Sequence, residues 1–256
     1  MTQISTIIIT FNEEDNIRRC LESVAPFSSE IIVVDSGSSD RTVEIANEFT
    51  ANVVHQKWLG YGRQKQFALS LTSHQHVLSI DADEEVSADL QKEIAALEWQ
   101  QDGYYIPRRV HYLGRWLKRC WYPGYVLRLF RKGTAQFTDE ILHESVVAPA
   151  ATGRMQEVLL HYSYRDVSHH LEKMNGFTTL AARQMYASGR KPYPHQILIQ
   201  PGLEFFKMYV LQRGFLDGFP GLVVSGLTAT YVLQKYVKLY ELWISSGRSP
   251  QDTSHE

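Results

Sequence analysis

The sequence predicts an α/β fold, with helices flanking a mostly parallel sheet and a helical extension at the C-terminal end. Short β-branched runs alternate with amphipathic segments over residues 1–102, which is typical of βαβ units. A purely helical pattern begins near Ser168. The chain has 256 residues, 44% of them hydrophobic, which suffices for one large domain with an appendage. We therefore expect a domain over residues 1–165 and a helical region over residues 166–256.

Four strands and four helices are expected in the first part of the chain. The strands are the apolar runs at residues 6–10, 30–35, 52–55 and 77–80. The first helix presents Ile17, Cys20, Leu21 and Val24 at helical spacing, so Cys20 is expected in the core. Predicted N-caps of three helices are Asn12, Asp40 and Ser87, and the remaining helix covers residues 64–71.

After Gly103 the pattern becomes β-rich. Residues 104–112 and 125–130 are expected as strands, and apolar runs at 142–147 and 158–162 either extend the sheet or flank it. Ser168 opens a long helix that stops near Gly189 and Pro192.

Charge is distributed unevenly along the chain. Residues 1–102 hold 17 acidic and 7 basic side chains, whereas residues 103–256 hold 11 acidic and 19 basic ones. Between Gly103 and Thr138 there is no acidic residue, but eight basic ones alternate with aromatic residues: Arg108, Arg109, Arg115, Lys118, Arg119, Arg128, Arg131 and Lys132. Such a segment attracts an anion, such as a phosphorylated sugar or an anionic membrane surface. The pI near 6.6 argues against nucleic acid as the partner.

The two cysteines, Cys20 and Cys120, and the N-terminal residues bear on the compartment. Two thiols a hundred residues apart do not form a disulfide framework, and the first ten residues lack the basic start of a secretory signal. A disulfide-built secreted protein is therefore not expected.

Polar side chains follow three of the predicted strands. Thr10, Phe11, Asn12 and Glu13 follow the first strand, Asp35 ends the second, and Asp81-Ala82-Asp83 follows the fourth. In an open α/β sheet the ligand lies beyond the carboxyl ends of the strands, so these edges predict one site. Asn12 and Asp40 have an alternative role as plain helix caps.

Asp81 and Asp83 stand at i and i+2, where two carboxylates can share a divalent cation. Oxygen ligands suit Mn²⁺ or Mg²⁺. Such a cation neutralises a diphosphate, and Glu84 and Glu85 either support the ligands or face solvent.

Three motifs in this order resemble those of inverting family 2 glycosyltransferases with the GT-A fold. They are Ile-Ile-Ile-Thr-Phe-Asn-Glu-Glu at 7–14, Ile-Val-Val-Asp-Ser-Gly-Ser-Ser-Asp-Arg-Thr at 32–42 and Ile-Asp-Ala-Asp-Glu at 80–84. The resemblance covers residues 1–165 and implies a catalytic domain that binds a UDP-sugar donor and an acceptor.

The resemblance also implies roles for individual residues. Thr10 and Phe11 border the base, Asp35 holds the uracil ring, Asp83 binds metal on the diphosphate, and Asp81 lies near the ribose or the metal. Arg63 or Lys65 contacts the diphosphate or the sugar, unless both lie on a solvated helix start. Related folds sometimes supply a third metal ligand from the position of His161, although a lone histidine is more often structural. Arg128 and Arg131 are further candidates for the diphosphate.

Inverting transfer requires a base that takes the proton of the acceptor hydroxyl. Glu144, beside His143, matches the histidine-glutamate pattern of the family, and His143 is either the base or an orienting group. Asp139 and Glu140 are rivals, and a salt bridge to the basic segment is the structural alternative for Glu144.

A second, less specific resemblance concerns the acceptor. The segments Arg128-Leu-Phe-Arg131, Leu142-His143-Glu144, 214–218 and 236–240 are similar to a bacterial branch that includes lipopolysaccharide core β-glucosyltransferases. It implies transfer of a hexose, glucose from UDP-glucose, to an inner-core heptose of a phosphorylated, lipid-linked saccharide. Trp116, Trp121, Tyr122 and Tyr125 are expected to stack on sugars or to pack in the core. A protein, capsule or exopolysaccharide acceptor is the alternative.

The C-terminal helix is expected at residues 222–244, where it lies in a membrane interface, contacts another subunit of an oligomer, or packs on the core. The uncharged run 218–234 is interrupted by Pro220 and Gly221, which argues against a transmembrane helix. A lipid-borne acceptor implies a cytoplasmic protein that is peripheral on the inner membrane.

Two other functions compete with the transferase. A sugar-phosphate nucleotidyltransferase needs a glycine-rich loop after the first strand, where this chain has Phe-Asn-Glu-Glu. A non-catalytic protein that binds nucleotide sugars would retain the metal site without turnover.

Overall fold

The computed structural model of the chain describes residues 2–49, 52–138, 146–147 and 149–247. It divides into two units. The first comprises Met1–His111 and Tyr122–Ser163, and the second comprises Tyr112–Trp121 and Tyr164–Glu256. The second unit thus takes a ten-residue segment from the middle of the chain, which the predicted boundary after residue 165 did not include.

The first unit is built on one mixed sheet. Its strands run in the order β3-β2-β1-β4-β8-β6-β12-β5, with β11 beside β6. The strands of the chain are β1 Ile4–Thr10, β2 Glu30–Asp35, β3 Val53–His55, β4 His76–Asp81, β5 Glu84–Val86, β6 Gly103–Tyr112, β7 Arg115–Trp116, β8 Gly124–Arg131, β9 Gln136–Phe137, β10 Val146–Val147, β11 Thr152–Arg154 and β12 Leu159–His161. The pairs β1–β2, β1–β4 and β2–β3 are parallel, whereas β8 is antiparallel to β4. The predicted mostly parallel sheet is therefore confirmed.

Helices cover the sheet because their apolar positions recur at helical spacing. They are α1 Ile17–Val24, α2 Thr42–Asn47, α3 Tyr61–Ser70 and α4 Ala88–Ala95. Cys20 is fully buried, as expected, in a core that α1 and α4 share with β1 and β4. Ser87 caps α4 through a bond from Leu90 N to its Oγ of 3.2 Å. The prediction that Asn12 caps α1 is wrong, because Asn16 occupies the N-cap position.

The second unit is helical. Its helices are α5 Val167–Ala187, α6 Pro194–Leu198, α7 Gln200–Phe206 and α8 Phe219–Ser245, with a π-helical turn at Lys207–Leu211 and a 3₁₀ helix at Gly214–Asp217. Tyr236, Leu239 and Trp243 of α8 form a buried cluster with Ala182 of α5. The cap of α5 is Asp166, two residues before the predicted start. No helix among the described residues is long and apolar enough to cross a membrane.

Candidate active site

The parallel register brings three strand ends to one edge of the sheet. Thr10 of β1 pairs with Asp35 of β2, and Ile9 of β1 pairs with Asp81 of β4. The edge therefore presents Thr10, Asp35 and Asp81 side by side, where open α/β sheets bind their ligands.

The loops after β1 and β2 are bonded to each other. Asn12 has a positive φ of 55°, and its Oδ1 accepts a bond of 2.8 Å from Ser39 N. In return Asn12 N donates to Ser38 Oγ at 2.8 Å, and Glu13 N donates to Thr42 Oγ1 at 2.8 Å. Asn12 and Glu13 thus fix the shape of this rim, while Phe11 between the strand and the loop is 56% exposed.

Asp35 is held rigidly. Its Oδ2 accepts bonds from Gly37 N at 2.8 Å and from Ser38 N at 3.0 Å, and its Oδ1 accepts the Ser38 hydroxyl at 2.5 Å. Gly37 adopts a φ of 100°, which other residues rarely tolerate, so the turn that supplies these donors depends on it. The Oγ1 of neighbouring Thr10 is buried and has no hydrogen-bond partner among the described residues.

Asp81 is clamped between two cations. Lys65 Nζ of α3 lies 2.7 Å from its Oδ1, and Arg128 Nη2 of β8 contacts its Oδ2. The side chain of Lys65 is 3% exposed and that of Arg128 9%, so both charges lie inside the protein. Burial opposes ionisation of Asp81, but the charges of Arg128 and Lys65 outweigh it and hold the pKa of this carboxyl well below its usual range.

Glu84 supports this clamp from beneath. It is fully buried, its Oε1 contacts Arg128 Nη2 at 2.8 Å and Arg108 Nη1 at 3.3 Å, and its Oε2 accepts Asp81 N at 3.0 Å. Glu84 is therefore buried and paired and does not face solvent. The sequence did not predict that Arg108 and Arg128 contact Glu84. Both arginines lie on predicted strands in a segment without acidic residues, which was a signal that they pair with acids from another part of the chain.

Asp83 lies beside His161. His161 Nε2 at the end of β12 lies 3.3 Å from Asp83 Oδ2, and Ser163 Oγ contacts the imidazole Nδ1 at 2.8 Å. Tyr162 N donates to Asp83 O at 2.9 Å, which joins β12 to the turn after β4, while Ala82 between the two aspartates is buried. The structure therefore brings His161 to Asp83, and the role of His161 as a metal ligand stays a prediction.

The residues suited to a metal are Asp83 and His161. Asp81 is occupied by Lys65 and Arg128 on both of its oxygens, and no group of three His, Cys, Asp or Glu side chains among the described residues is arranged to hold an ion. One carboxylate and one imidazole fit a divalent cation whose other ligands come from a diphosphate or water.

Arg63 and Lys65, the alternatives on α3, point to different places. Lys65 binds Asp81, whereas Arg63 is exposed and lines a cavity of about 560 Å³ with Gln66, Gln136, Phe137, Thr138 and Val147. The cavity has the size of a small-ligand site. Of the pair, Arg63 lines the cavity, whereas Lys65 is buried against Asp81.

Arg131 does not belong to this site, which corrects the prediction. It pairs with His76 at the opposite end of β4, about 17 Å from Asp81 along the strand. Its Nη2 donates to Trp99 O at 2.6 Å. Arg131 is the last residue of β8, whereas Arg128 lies three positions earlier in the strand and reaches Asp81.

The aromatic residues of the basic segment divide between surface and core. Tyr125 is 40% exposed, with Arg154 4.7 Å from its ring, whereas Trp121 packs against Tyr112 and His170 in the second unit. Tyr122 lies under Arg109 at 5.1 Å. His143 and Glu144, with their rivals Asp139 and Glu140, lie outside the described residues, and their roles stay predictions.

Comparison with known proteins relates the chain to named ones. The family model described as "Glycosyl transferase family 2" matches residues 5–160. A protein of Rickettsia typhi named an uncharacterized glycosyltransferase is 35% identical over 261 residues, which cover 96% of this chain and 89% of that protein. The lipopolysaccharide core biosynthesis glycosyltransferase LpsC of Rhizobium meliloti is 29% identical over 91% of this chain and 93% of LpsC.

Among solved structures, TarS 1–349 of S. aureus in complex with UDP-GlcNAc has a TM-score of 0.51 at 15% identity. The match covers 96% of this chain and 93% of that one. It confirms the predicted GT-A fold.

Proposed function

We propose that this chain, which belongs to glycosyl transferase family 2, transfers glucose from UDP-glucose with inversion to an inner-core heptose of lipopolysaccharide. The observation that carries the proposal is the end of β4, where Lys65 and Arg128 hold Asp81 and leave Asp83 beside His161. Family membership supports a transferase, and LpsC supports this acceptor, because its name assigns it to core biosynthesis.

Donor binding uses the edge formed by β1, β2 and β4. The proposed base pocket lies between Thr10, Phe11 and Asp35, because Asp35 is rigid and Phe11 offers an exposed ring. Arg63 is proposed to contact the diphosphate or the sugar, since it lines the neighbouring cavity. Asp81 acts here as a positioning residue, with Glu84 and Arg128 fixing the turn that carries Asp83.

A Mn²⁺ or Mg²⁺ ion is the proposed cofactor. Asp83 and His161 would hold it, and the ion would neutralise the diphosphate as that group leaves. Glu144 is the proposed base for the acceptor hydroxyl, with His143 as its alternative or its orienting group.

The proposed acceptor is a phosphorylated saccharide on a lipid, so we place the protein at the cytoplasmic face of the inner membrane. Exposed arginines and lysines favour a phosphorylated acceptor because they pair with phosphate oxygens. A transferase that acts on a protein, capsule or exopolysaccharide acceptor would use the same donor site. The donor site therefore does not distinguish these acceptors, and the acceptor needs a separate experiment.

Calorimetry of UDP binding tests the donor site. With Mn²⁺ present we expect binding by the wild type, and with excess chelator an affinity at least about tenfold lower, because a diphosphate beside ionised carboxylates is repelled. Asp83→Ala is expected to bind weakly in both conditions. Asp89→Asn on α4, an exposed carboxylate of the same unit, is the matched control and keeps the metal dependence.

If UDP binds the wild type equally well with Mn²⁺ and with chelator, and Asp83→Ala changes neither result, the metal assignment is wrong.

Mass spectrometry of lipopolysaccharide from a strain that lacks the gene tests the acceptor. Loss of one hexose from the inner core is expected, and an unchanged core would direct the search to the other acceptors.

A further inference from the structure

The second unit exposes an apolar face that the sequence pattern did not predict. We define it by ten side chains, each at least 41% exposed: Leu198, Ile199, Leu203, Phe206, Val210, Leu211, Phe215, Leu216, Phe219 and Leu222. They make up ten of the twenty-five exposed large apolar residues in the described part of the chain, yet they fall within 25 consecutive positions. Helix α7 has no buried residue at all. A soluble surface rarely gathers so many apolar side chains without a partner.

The side chains are ordered along helical faces. Ile199, Leu203, Phe206 and Val210 recur at i, i+4, i+7 and i+11 through α7 and the π-helical turn. Arg213 and Gly218, with φ values of 58° and 68°, interrupt the helical backbone before the 3₁₀ helix and before α8. The apolar face is therefore built from several short helical pieces.

Cations border the apolar face. Asp217 is buried, and its carboxylate accepts backbone bonds from Lys118, Arg119 and Cys120 at 2.8, 2.9 and 2.9 Å. These bonds hold the segment 115–119 against the 3₁₀ helix that carries Phe215 and Leu216. A cavity of about 320 Å³ is lined there by Arg115, Trp116, Lys118, Leu216 and Asp217.

Little negative charge offsets these cations. Residues 198–222 contain two acidic side chains, of which Glu204 pairs with Lys207 at 3.1 Å and Asp217 is buried on amide donors. Arg115, Lys118, Arg119 and Arg213 are exposed, and none of them forms a salt bridge with another described residue. The border of the apolar face is thus positive.

This charge pattern decides between two occupants. A second copy bound through the same face would set these cations against their identical counterparts, which is unfavourable in a symmetric contact. An anionic bilayer offers hydrocarbon to the apolar face and phosphates to the border, and each cation near such a surface contributes about 1 kcal/mol.

We propose that residues 198–222 insert the apolar face into the interface of an anionic phospholipid bilayer, while Arg115, Lys118 and Arg119 bind lipid phosphates. The presence of the protein at a membrane rests on the proposed function, which has a lipid-borne acceptor. The choice of this surface is argued from the exposure of its side chains and from their charge. The apolar face includes only the start of the helix predicted at residues 222–244, because Val224, Tyr236 and Leu239 farther along that helix are buried.

Flotation of the full chain with vesicles tests the proposal. Vesicles of phosphatidylethanolamine and phosphatidylglycerol should carry the protein upward at low salt, vesicles of phosphatidylcholine alone should carry much less, and high salt should release most of it. Leu203→Ser/Phe206→Ser should lower the partition coefficient about tenfold or more. The matched control is Val237→Ser/Ile244→Ser, which changes two exposed apolar side chains of α8 and should bind as the wild type does.

The charged border is tested separately. Lys118→Gln/Arg119→Gln should lose about fivefold in partition for each cation removed. These changes leave the backbone donors to Asp217 in place, so the fold should persist, which circular dichroism checks. Arg41→Gln/Lys92→Gln removes two exposed cations of the first unit and is the matched control.

The proposal is overturned if the wild type ignores anionic vesicles at low salt, or if Leu203→Ser/Phe206→Ser floats as well as the wild type. A dimer in ultracentrifugation that this double variant makes monomeric, without vesicle binding, would assign the face to a second copy. UDP calorimetry and turnover on a delipidated saccharide do not need vesicles. Failure there with normal flotation would reject the proposed function and keep the membrane surface.

Discussion

The two units depart from the usual distribution of side chains between interior and surface in opposite ways. The first unit buries charge, with Lys65, Glu84 and Arg128 almost without solvent exposure around Asp81. The second unit exposes apolar surface, with Leu198 at 79% and Phe219 at 71%. Charged side chains are rarely buried unless paired, and large exposed apolar patches usually mark contact sites.

The contrast indicates what each unit does. A buried cluster of ion pairs costs desolvation and gains rigidity, which suits a turn that must hold Asp83 in one position. An exposed apolar face gains nothing in water and suits contact with a bilayer. We therefore expect changes in the first unit to alter donor binding, chemistry or stability, and changes in residues 198–222 to alter only membrane binding.

The largest expected effect would come from Glu144→Gln. Loss of the base should lower turnover about 100- to 10,000-fold at saturating donor and acceptor, while UDP affinity and flotation stay unchanged. The measurement is the initial rate of hexose transfer, alongside UDP calorimetry on the same preparation.

Glu172→Gln, an exposed carboxylate on α5, is the control for that loss and should retain full turnover. Near-normal turnover of Glu144→Gln would remove Glu144 from the mechanism and promote Asp139, Glu140 or His143. Lost flotation in the same variant would break the separation between the two units.

The next effect in size concerns the buried ion pairs. Among the described residues, Arg128→Met leaves Glu84 with Arg108 at 3.3 Å as its one cationic contact, and Asp81 with Lys65. Removing one partner of a buried pair typically costs about 3–5 kcal/mol, so the urea midpoint should fall by a large amount. Arg41→Met, in an exposed pair with Glu44, is the control and should leave the midpoint in place. Equal urea midpoints for both variants would mean that the buried ion pairs of Arg128 stabilise the first unit no more than the exposed pair of Arg41 does.

The site residues that the sequence predicted could be found because each follows a strand that is visible in the local pattern. Asp35, Asp81 and Asp83 follow strands, and the carboxyl ends of parallel strands meet at one edge whatever the rest of the chain does. His161 was found through the resemblance and lies where a strand places it beside Asp83.

The partners of those residues could not be predicted, because pairing joins distant parts of the chain. Arg128 lies 47 positions from Asp81, and Glu84 lies on β5, a three-residue strand that exists only because it pairs with β12. Within an acidic run, Glu84 looks like a solvated residue. The sequence pattern did not predict the apolar face, because Pro194 and Pro201 begin two short helices in place of one long helix with a continuous period like that of α5 or α8.

The smallest expected effect tests the comparison in the second unit, where His170 is buried without an ion pair to any residue that the structure describes. His170 is 5% exposed, its Nδ1 bonds the Tyr112 hydroxyl at 2.9 Å, and its ring stacks on Tyr164 at 4.0 Å. Burial, with smaller contributions from His169 and Lys173, lowers the pKa of His170 from 6.5 to about 4.

Between these two pH values the unfolded chain binds a proton that the folded chain does not, so the free energy of unfolding falls as the pH falls. Burial of neutral His170 makes its full contribution to the free energy of unfolding above about pH 6.5, and about 3 kcal/mol of that contribution is lost by pH 4. His170→Gln keeps a polar partner for Tyr112 and does not titrate, so its free energy of unfolding should fall less than that of the wild type. Tyr112→Phe removes the hydrogen bond but keeps the imidazole, so it should be less stable throughout and retain the wild-type slope. Urea unfolding between pH 7 and pH 4 measures all three proteins, and equal slopes for the wild type and His170→Gln would show that this histidine is not held neutral in the fold.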